Sequence, residues 1–453
     1  MAFPGQQGSL PSMDRFMAAL VRAFIRWMPD AFAVAILLTL LTVLLAVILT
    51  GYPVTSAVEA WGDGFWNLLT FTNQITLTLL LGYALANTPP MRRALAAIAG
   101  LATSPRMAYG LACFITGVLA LVSWGLSLVS AGIMARAIGE TCQRKGIRVH
   151  YPLLVASAFS GFVIWHQGLT SSVALTLATP GHFLEAQVGL VPTGETVFTW
   201  WNIALALFVL LTLPVLMSML GPNDDEIEEM DLPAENPSDE APVSRTATPA
   251  ARLEWSPAVS LPLVAMGLFF LGVHFFKRDL GLELNILNFA FLMAGLALAG
   301  SAVRYAQIIV EGGRVAAPFL LQYPFYAGIA GIMADSGLAR LVVEFFASIA
   351  SAETLPWFGF LAGGLLNIFI PSGGGQWAVQ GPIMMGAAQE LGADLPRVAM
   401  GVALGDQWTN LIQPLVLMPV LTIASVGARE IMGYTFVALF WTGAVFSLGL
   451  LLF

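Results

Sequence analysis

Apolar stretches as long as a bilayer is thick fill most of this chain, and the polar positions that interrupt them carry the information. Continuous spans are readable at 31–50, 66–87, 199–219, 257–276, 284–302, 315–335 and 431–452. Each suits one helix crossing a membrane, which takes about 20 residues. Four more runs, at 107–141, 150–180, 355–391 and 394–427, are longer and hold polar breaks. The runs 150–180 and 394–427 exceed one simple crossing, so each predicts two half-helices with an unwound middle. The run 107–141 is basic at both ends, with Arg106 before it and Arg144, Lys145 and Arg148 after it. Its midpoint, Ser123-Trp124-Gly125-Leu126-Ser127, is turn-like, and no helix would continue through Pro371-Ser372-Gly373-Gly374-Gly375 in 355–391. Both runs read as re-entrant hairpins entering and leaving on one side. The alternative, two full crossings each, is disfavoured by the short limbs.

The expected fold is therefore an all-α polytopic membrane protein with nine crossings and two hairpins. The polar breaks pair up. Trp165-His166-Gln167-Gly168-Leu169-Thr170-Ser171-Ser172 in 150–180 matches Asp406-Gln407-Trp408-Thr409-Asn410-Leu411-Ile412-Gln413-Pro414 in 394–427, and the same offset separates Gln167 from Gln413 and Thr176 from Thr422. Each half, 31–219 and 284–453, then holds two spans, a hairpin, a broken span and a closing span. A lone linking helix at 257–276 makes the second half run through the membrane the opposite way. An inverted repeat follows from that count, and duplicated interruptions in such halves point to a transporter's binding site. With residues 1–30 in the cytoplasm, only Lys277, Arg278, Arg340 and Arg397 among the basic residues fall outside, as the positive-inside rule requires.

Composition agrees: of 453 residues 58% are hydrophobic and 10% charged, with mean hydropathy +0.81. The net charge of −8 sits mostly in 221–253, where acids from Asp224 to Glu240 face only Arg245 and Arg252. That Pro-rich stretch reads as a solvated cytoplasmic linker. Nothing basic enough for nucleic acid appears, and Cys113 and Cys142 suggest neither a disulfide nor a metal site. The segments 91–104 and 337–350 are amphipathic, and read either as surface arms or as loops.

The chemistry lies at the breaks. A half-helix starting at the midplane presents free backbone N–H groups and a partial positive charge, which suits a carboxylate. Thr170, Ser171 and Ser172 begin one such half-helix, where their hydroxyls either cap it or donate to an anion. Gly373, Gly374 and Gly375 admit close approach of backbone to ligand, with Ser372 and Gln376 as added donors. At the first hairpin tip, Trp124, with Gly125 and Ser127 beside it, either walls an apolar pocket or simply packs. His166 is a proton carrier, a ligand donor or a satisfied buried imidazole, and Gln167 lies beside it. An acid near the bilayer centre costs about 2.5–3.5 kcal/mol on insertion scales, so Asp406 needs a reason to be there. It would coordinate sodium with Gln407, Thr409, Asn410, nearby Gln413 and exposed carbonyls, take up a proton, or serve as a hydrogen-bonded structural acid near the end of its half-helix; the candidate sodium ligands are Asp406, Thr409 and Asn410. No cofactor beyond such a coupling ion is expected. With no arginine or lysine at either break and Trp165, Trp377 and Trp408 nearby, a small monocarboxylate with a short hydrocarbon tail fits best.

Three motifs, Trp61-Gly62-Asp63-Gly64-Phe65-Trp66-Asn67-Leu68-Leu69, Gln322-Tyr323-Pro324-Phe325-Tyr326-Ala327-Gly328-Ile329 and Pro371-Ser372-Gly373-Gly374-Gly375-Gln376-Trp377-Ala378-Val379-Gln380-Gly381-Pro382, resemble those of the bacterial short-chain fatty acid transporter family. The resemblance runs from about Met13 to Phe453, apart from the acidic linker. It implies an inner-membrane permease associated with uptake of acetoacetate, butyrate and similar acids. It also implies inverted repeats, a scaffold and a mobile transport domain working as an elevator, and a homodimer. By motif, the transport domain would comprise 107–180 and 355–427, with substrate between the hairpin tips and the broken helices. The family pattern often has His where this chain has Gln376, and a first break richer in glycine, so here the histidine sits in the other half-site. A transporter of another small anion, such as a dicarboxylate, and a passive channel are the alternatives. The chain has no His-Glu-x-x-His and no Gly-x-Ser-x-Gly, which speaks against an intramembrane enzyme.

Overall fold

The computed structural model describes residues 31–230 and 248–453. The expected cytoplasmic N-terminus (1–30) and positions 231–247 of the linker lie outside them. The described residues are helical, and eight helices are long and apolar enough to cross a membrane. Their outward residues are large and apolar, for example Leu40 and Leu44 on Ala31–Thr50 and Phe208 and Leu211 on Trp200–Met219. In lipid such a surface is solvated, so it needs no protein cover.

The count differs from nine in three places. Leu284–Ala299 stops at Gly300, whose left-handed φ of 77° ends the helix, and is shorter than a span. The 394–427 run is divided by its own unwound segment and does not register as one helix. In the opposite direction, Pro105–Val122, the first limb of the first hairpin, has 18 residues and is by itself as long as a crossing. The span expected at 315–335 begins earlier, in the 34-residue helix Ala302–Asp335, whose first turns carry Arg304, Glu311 and Arg314.

Each hairpin is broken by a serine. Ser123, in extended backbone (φ −158°, ψ 127°), ends Pro105–Val122 and caps Trp124–Arg144 by accepting from the Leu126 N–H. Ser372 (φ −157°, ψ 108°) does the same for Gly373–Leu391 after the limb Leu355–Asn367, accepting from the Gly375 N–H. A serine hydroxyl offers the backbone a partner outside the helix, which is why it terminates one helix and starts another. The 150–180 run divides into Tyr151–Ser160, a tight 3-10 stretch Gly161–Gln167, extended Gly168 and the short helix Ser172–Ala178. The 394–427 run divides into Leu395–Thr409, Asn410–Ile412, extended Gln413 and Pro414–Ala424. Gln413 precedes a proline, which disfavours helical backbone there.

The hairpins pack against the broken helices along small residues. A Cβ on Gly405 would collide with the Phe360 carbonyl, and one on Gly401 with the Pro356 carbonyl, so Leu355–Asn367 and Leu395–Thr409 lie backbone against backbone. Close approach of this kind replaces hydrophobic drive in a membrane. Leu69–Asn87 and Ala302–Asp335 form a wall beside this core, and Thr78 on the first pins Leu284–Ala299 through Asn288 Oδ1 at 2.8 Å. The segments 91–104 and 337–350 contain helices, Pro89–Ala99 and Leu338–Ile349.

Candidate functional site

The two broken helices meet at their breaks. His166 Nε2 lies 2.9 Å from Asp406 Oδ2, with both side chains sealed from solvent. Ser171 Oγ is 3.1 Å from His166 Nδ1 and also accepts from the Ala174 N–H, so one hydroxyl caps Ser172–Ala178 and fixes the imidazole. The His166 N–H donates to Gln407 Oε1 at 2.7 Å, and Gln407 Nε2 donates to Gln167 Oε1 at 3.2 Å. Gln167 in turn donates to the Asn202 carbonyl, and Asn202 donates back to the carbonyls of Gln167 and Val197. Buried polar groups are costly unless bonded, so this network favours one arrangement of the two breaks.

Behind Asp406, Asn367 organises the second break. Its Nδ2 lies 2.9 Å from the Asp406 carbonyl, 2.9 Å from Thr409 Oγ1 and 3.0 Å from Asn410 Oδ1. Thr409 Oγ1 donates onward to the Gly364 carbonyl, while Gln413 Nε2 bonds the carbonyls of Asn367 and Ile368. The expected sodium ligands Asp406, Thr409 and Asn410 are thus neighbours, but the oxygens that converge, the Asp406 backbone carbonyl, Thr409 Oγ1 and Asn410 Oδ1, meet at an amide N–H₂, while the Asp406 carboxylate is turned to His166. Oxygens aimed at a donor do not fit a cation at that point.

In front of the pair lies a cavity of about 440 Å³. Its polar end is formed by Ser172, Ser372, Gly373, Gly374 and Asn410, and its body by Trp124, Trp165, Phe162, Phe319, Leu79 and Ile423, among others. Tyr323 OH lies 2.9 Å from Ser372 Oγ and ties the second hairpin tip to Ala302–Asp335. Several polar atoms here have no hydrogen-bond partner: Ser172 Oγ and Trp165 Nε1 at the cavity, and Asp406 Oδ1, Asn367 Oδ1 and Asn202 Oδ1 behind it.

The remaining candidates have packing or positioning roles. Thr170 Oγ1 accepts from the Trp124 N–H at 2.9 Å, joining the first hairpin tip to the first break. Ser127 Oγ donates to the Thr116 carbonyl within its hairpin, and Gly125 sits close beneath the Leu79 carbonyl. Gly375 faces the Tyr326 ring, and Gln376 Nε2 bonds the Gly363 carbonyl and Gln380. Of the three tryptophans expected around a hydrocarbon tail, only Trp165 lines the cavity. Trp377 is fully buried elsewhere, and Trp408 donates to the Leu439 carbonyl and packs on Phe360. A helix turns about 100° per residue, so neighbours of a break need not face it. Asn367, Asn202, Tyr323 and Arg314 were not among the sequence candidates. Asn367 had a signal, as a lone amide in an apolar run before Pro371; Arg314 counted only towards topology.

Membrane-length helices around a buried polar junction and an apolar cavity define a multi-pass membrane transport protein. Comparison with known proteins makes this specific. The family profile for short chain fatty acid transporters matches residues 12–453, and the chain belongs to that family. A candidate short-chain fatty acid transporter of Escherichia coli (strain K12) is 38% identical over 443 residues, covering 97% of this chain and 99% of that one. Its counterpart from Haemophilus influenzae is 35% identical over 447 residues, covering 97% and 98%. The family is one of membrane transporters and not of enzymes. Among solved structures, the YdaH transporter of Alcanivorax borkumensis shares the fold, with a TM-score of 0.60, 16% identity, and coverage of 93% of this chain and 98% of that one. MtrF of Neisseria gonorrhoeae, from a class of antimetabolite efflux pumps, has a TM-score of 0.52 at 16% identity, with coverage of 95% and 97%.

Proposed function

We propose that this protein is a secondary active transporter for short-chain monocarboxylates of the butyrate or acetoacetate kind, driven by a proton carried on His166 and Asp406. The observation that carries the reading is the sealed 2.9 Å contact between these two side chains, one from each break, directly behind the cavity. Two carboxylates about 4 Å apart repel by roughly 4 kcal/mol at an effective dielectric of 20. A carboxylate substrate therefore enters favourably only when the pair holds a proton that offsets Asp406. Loss of substrate and loss of the proton are then linked, which is the requirement for symport.

The substrate's charge is met by the Ser172 and Ser372 hydroxyls and by the positive end of Gly373–Leu391, which starts at the cavity. Its hydrocarbon tail lies against Trp124, Trp165 and Phe319. An elevator-type movement of the two hairpins and two broken helices against the wall of Leu69–Asn87 and Ala302–Asp335 carries the site across. The finer topology belongs to the same proposal: inverted repeats 31–219 and 284–453, re-entrant hairpins, a cytoplasmic N-terminus, the bacterial inner membrane and a homodimer.

The test is uptake of labelled butyrate into proteoliposomes, with pH and sodium gradients imposed separately, for the wild type and Asp406→Asn. The expected result is uptake driven by the pH gradient alone and uncoupled or lost in the variant. Uptake that follows only the sodium gradient would overturn the proton assignment. No butyrate uptake from folded protein under either gradient would overturn the substrate.

A further inference from the structure

The cavity lining contains a single charged side chain, Arg314, at the end remote from the hairpin tips. Arg314 is exposed, and among the described residues it makes no ion pair or hydrogen bond. Three other basic groups are engaged. Arg304 donates to the Ala299 carbonyl and lies over Trp255, Arg92 donates to Asn87, and Lys145 donates to the carbonyls of Gly100 and Ala102. Glu311, one turn earlier on the same helix, is placed to pair with Arg314 by spacing but does not.

Arg314, Val315, Pro318, Phe319 and Tyr323 share one face of Ala302–Asp335, and all line the cavity. Tyr323 marks the inner end through its contact with Ser372. Nine residues of helix separate it from Arg314, about 13 Å of rise. A four-carbon acid is too short to touch both ends at once. Between them the lining is almost wholly apolar, so an anion has nowhere to rest on the way.

We infer that Arg314 forms an outer carboxylate subsite at the mouth of this cavity, on the side that the basic residues mark as cytoplasmic and distinct from the inner end between Ser172 and Ser372, and that small monocarboxylates pass through it between that end and solution. This rests on the proposed transport function and adds a stage to it. A guanidinium holds a carboxylate through a two-pronged hydrogen-bonded contact, and at a cavity mouth with apolar walls its field is focused on arriving anions. The subsite selects for a negative charge, while the inner end and the aromatic walls select for tail length.

The experiment is stopped-flow binding of butyrate to the full chain in nanodiscs of zwitterionic lipid, read by the change in tryptophan fluorescence, to which the cavity residues Trp124 and Trp165 contribute. Association rates are measured at low and high potassium chloride for the wild type, Arg314→Gln and Arg314→Lys. The expected result is an association rate about five- to tenfold lower in Arg314→Gln at low salt, with a flattened salt dependence, and a rate near wild type in Arg314→Lys. An exposed residue without partners gives a folded variant, and thermal unfolding of all three confirms it. If the wild type binds butyrate and Arg314→Gln binds at the same rate with the same salt slope, the outer subsite is refuted and the transport reading stands. If the folded wild type gives neither a binding signal nor butyrate uptake, the transport reading fails and takes the subsite with it.

Discussion

Adding one methyl group at Gly373 tests the junction between the second hairpin tip and the first break. A Cβ built there lies 2.6 Å from His166 Nε2, 2.6 Å from Ser172 Oγ and 2.7 Å from Trp165 Cη2. Ordinary contact begins at 3.4 Å, so the methyl is roughly 0.8 Å too close to three atoms on one wall. That wall cannot easily give way. His166 is held on one nitrogen by Asp406 at 2.9 Å and on the other by Ser171 at 3.1 Å, and its ring stacks on Trp165 with centroids 3.6 Å apart. Either the hairpin tip retreats or His166 leaves Asp406. Overpacking of this kind costs about 1–3 kcal/mol, which is roughly 5- to 150-fold in affinity if it falls wholly on the site. Butyrate uptake and thermal unfolding of Gly373→Ala are to be measured beside Gly433→Ala, where a Cβ meets nothing within 4 Å. The control should match wild type. Lost uptake at unchanged Tm places the cost in the tip, and a joint loss places it in the surrounding packing. Uptake within twofold of wild type at wild-type Tm would refute the reasoning, because it would mean the tip does not press on His166.

Asn367→Ala leaves three buried oxygens without their donor and should cost about 1–3 kcal/mol, seen as a lower Tm. Asn367→Asp replaces that donor by an acceptor facing the same oxygens, so sodium should raise the Tm of this variant and not of the wild type. Tyr323→Phe loses the contact with Ser372 and should weaken butyrate binding through a freer hairpin tip, by about 0.5–1.5 kcal/mol in a titration. On the loop before the first broken helix, burial depresses the His150 pKa below its usual 6.5, against the opposing pull of Glu228 and Glu226. The unfolded state therefore binds the proton more readily, and this contribution to stability is complete above pH 6.5 and declines as pH falls below it. His150 Nδ1 accepts from the Glu228 N–H at 3.0 Å, so the protection factor of the Glu228 amide, taken against its intrinsic exchange rate at each pH, should fall on acidification in the wild type and show no such pH step in His150→Gln.

The polar breaks were legible because apolar sequence is the rule in a membrane and each departure from it has a cost. Ser123 and Ser372, the glycines after Pro371, and the stretches around His166 and Asp406 could all be found by asking where a helix would leave backbone or charge without a partner. Length worked less well. Gly300 ends Leu284–Ala299 through a backbone conformation, and Pro105–Val122 reaches the length of a span that its hairpin reading did not require. Residues that act by orientation escaped altogether. Trp377 and Trp408 flank polar motifs but turn into packing, while Asn367 and Tyr323 sit in ordinary helices and turn into the site.

Local chemistry thus settles where this chain unwinds and which side chains stand at the breaks, because those choices depend on a few neighbouring residues and on lipid as the solvent. Nothing local brings His166 within 2.9 Å of Asp406, since 240 positions of chain lie between them. That contact, the filling of the Asp406, Thr409 and Asn410 oxygens by an amide, and the placing of Arg314 at a cavity mouth come from backbones packed closely at small residues. Such packing depends on two surfaces at once, and a single stretch of sequence describes only one of them.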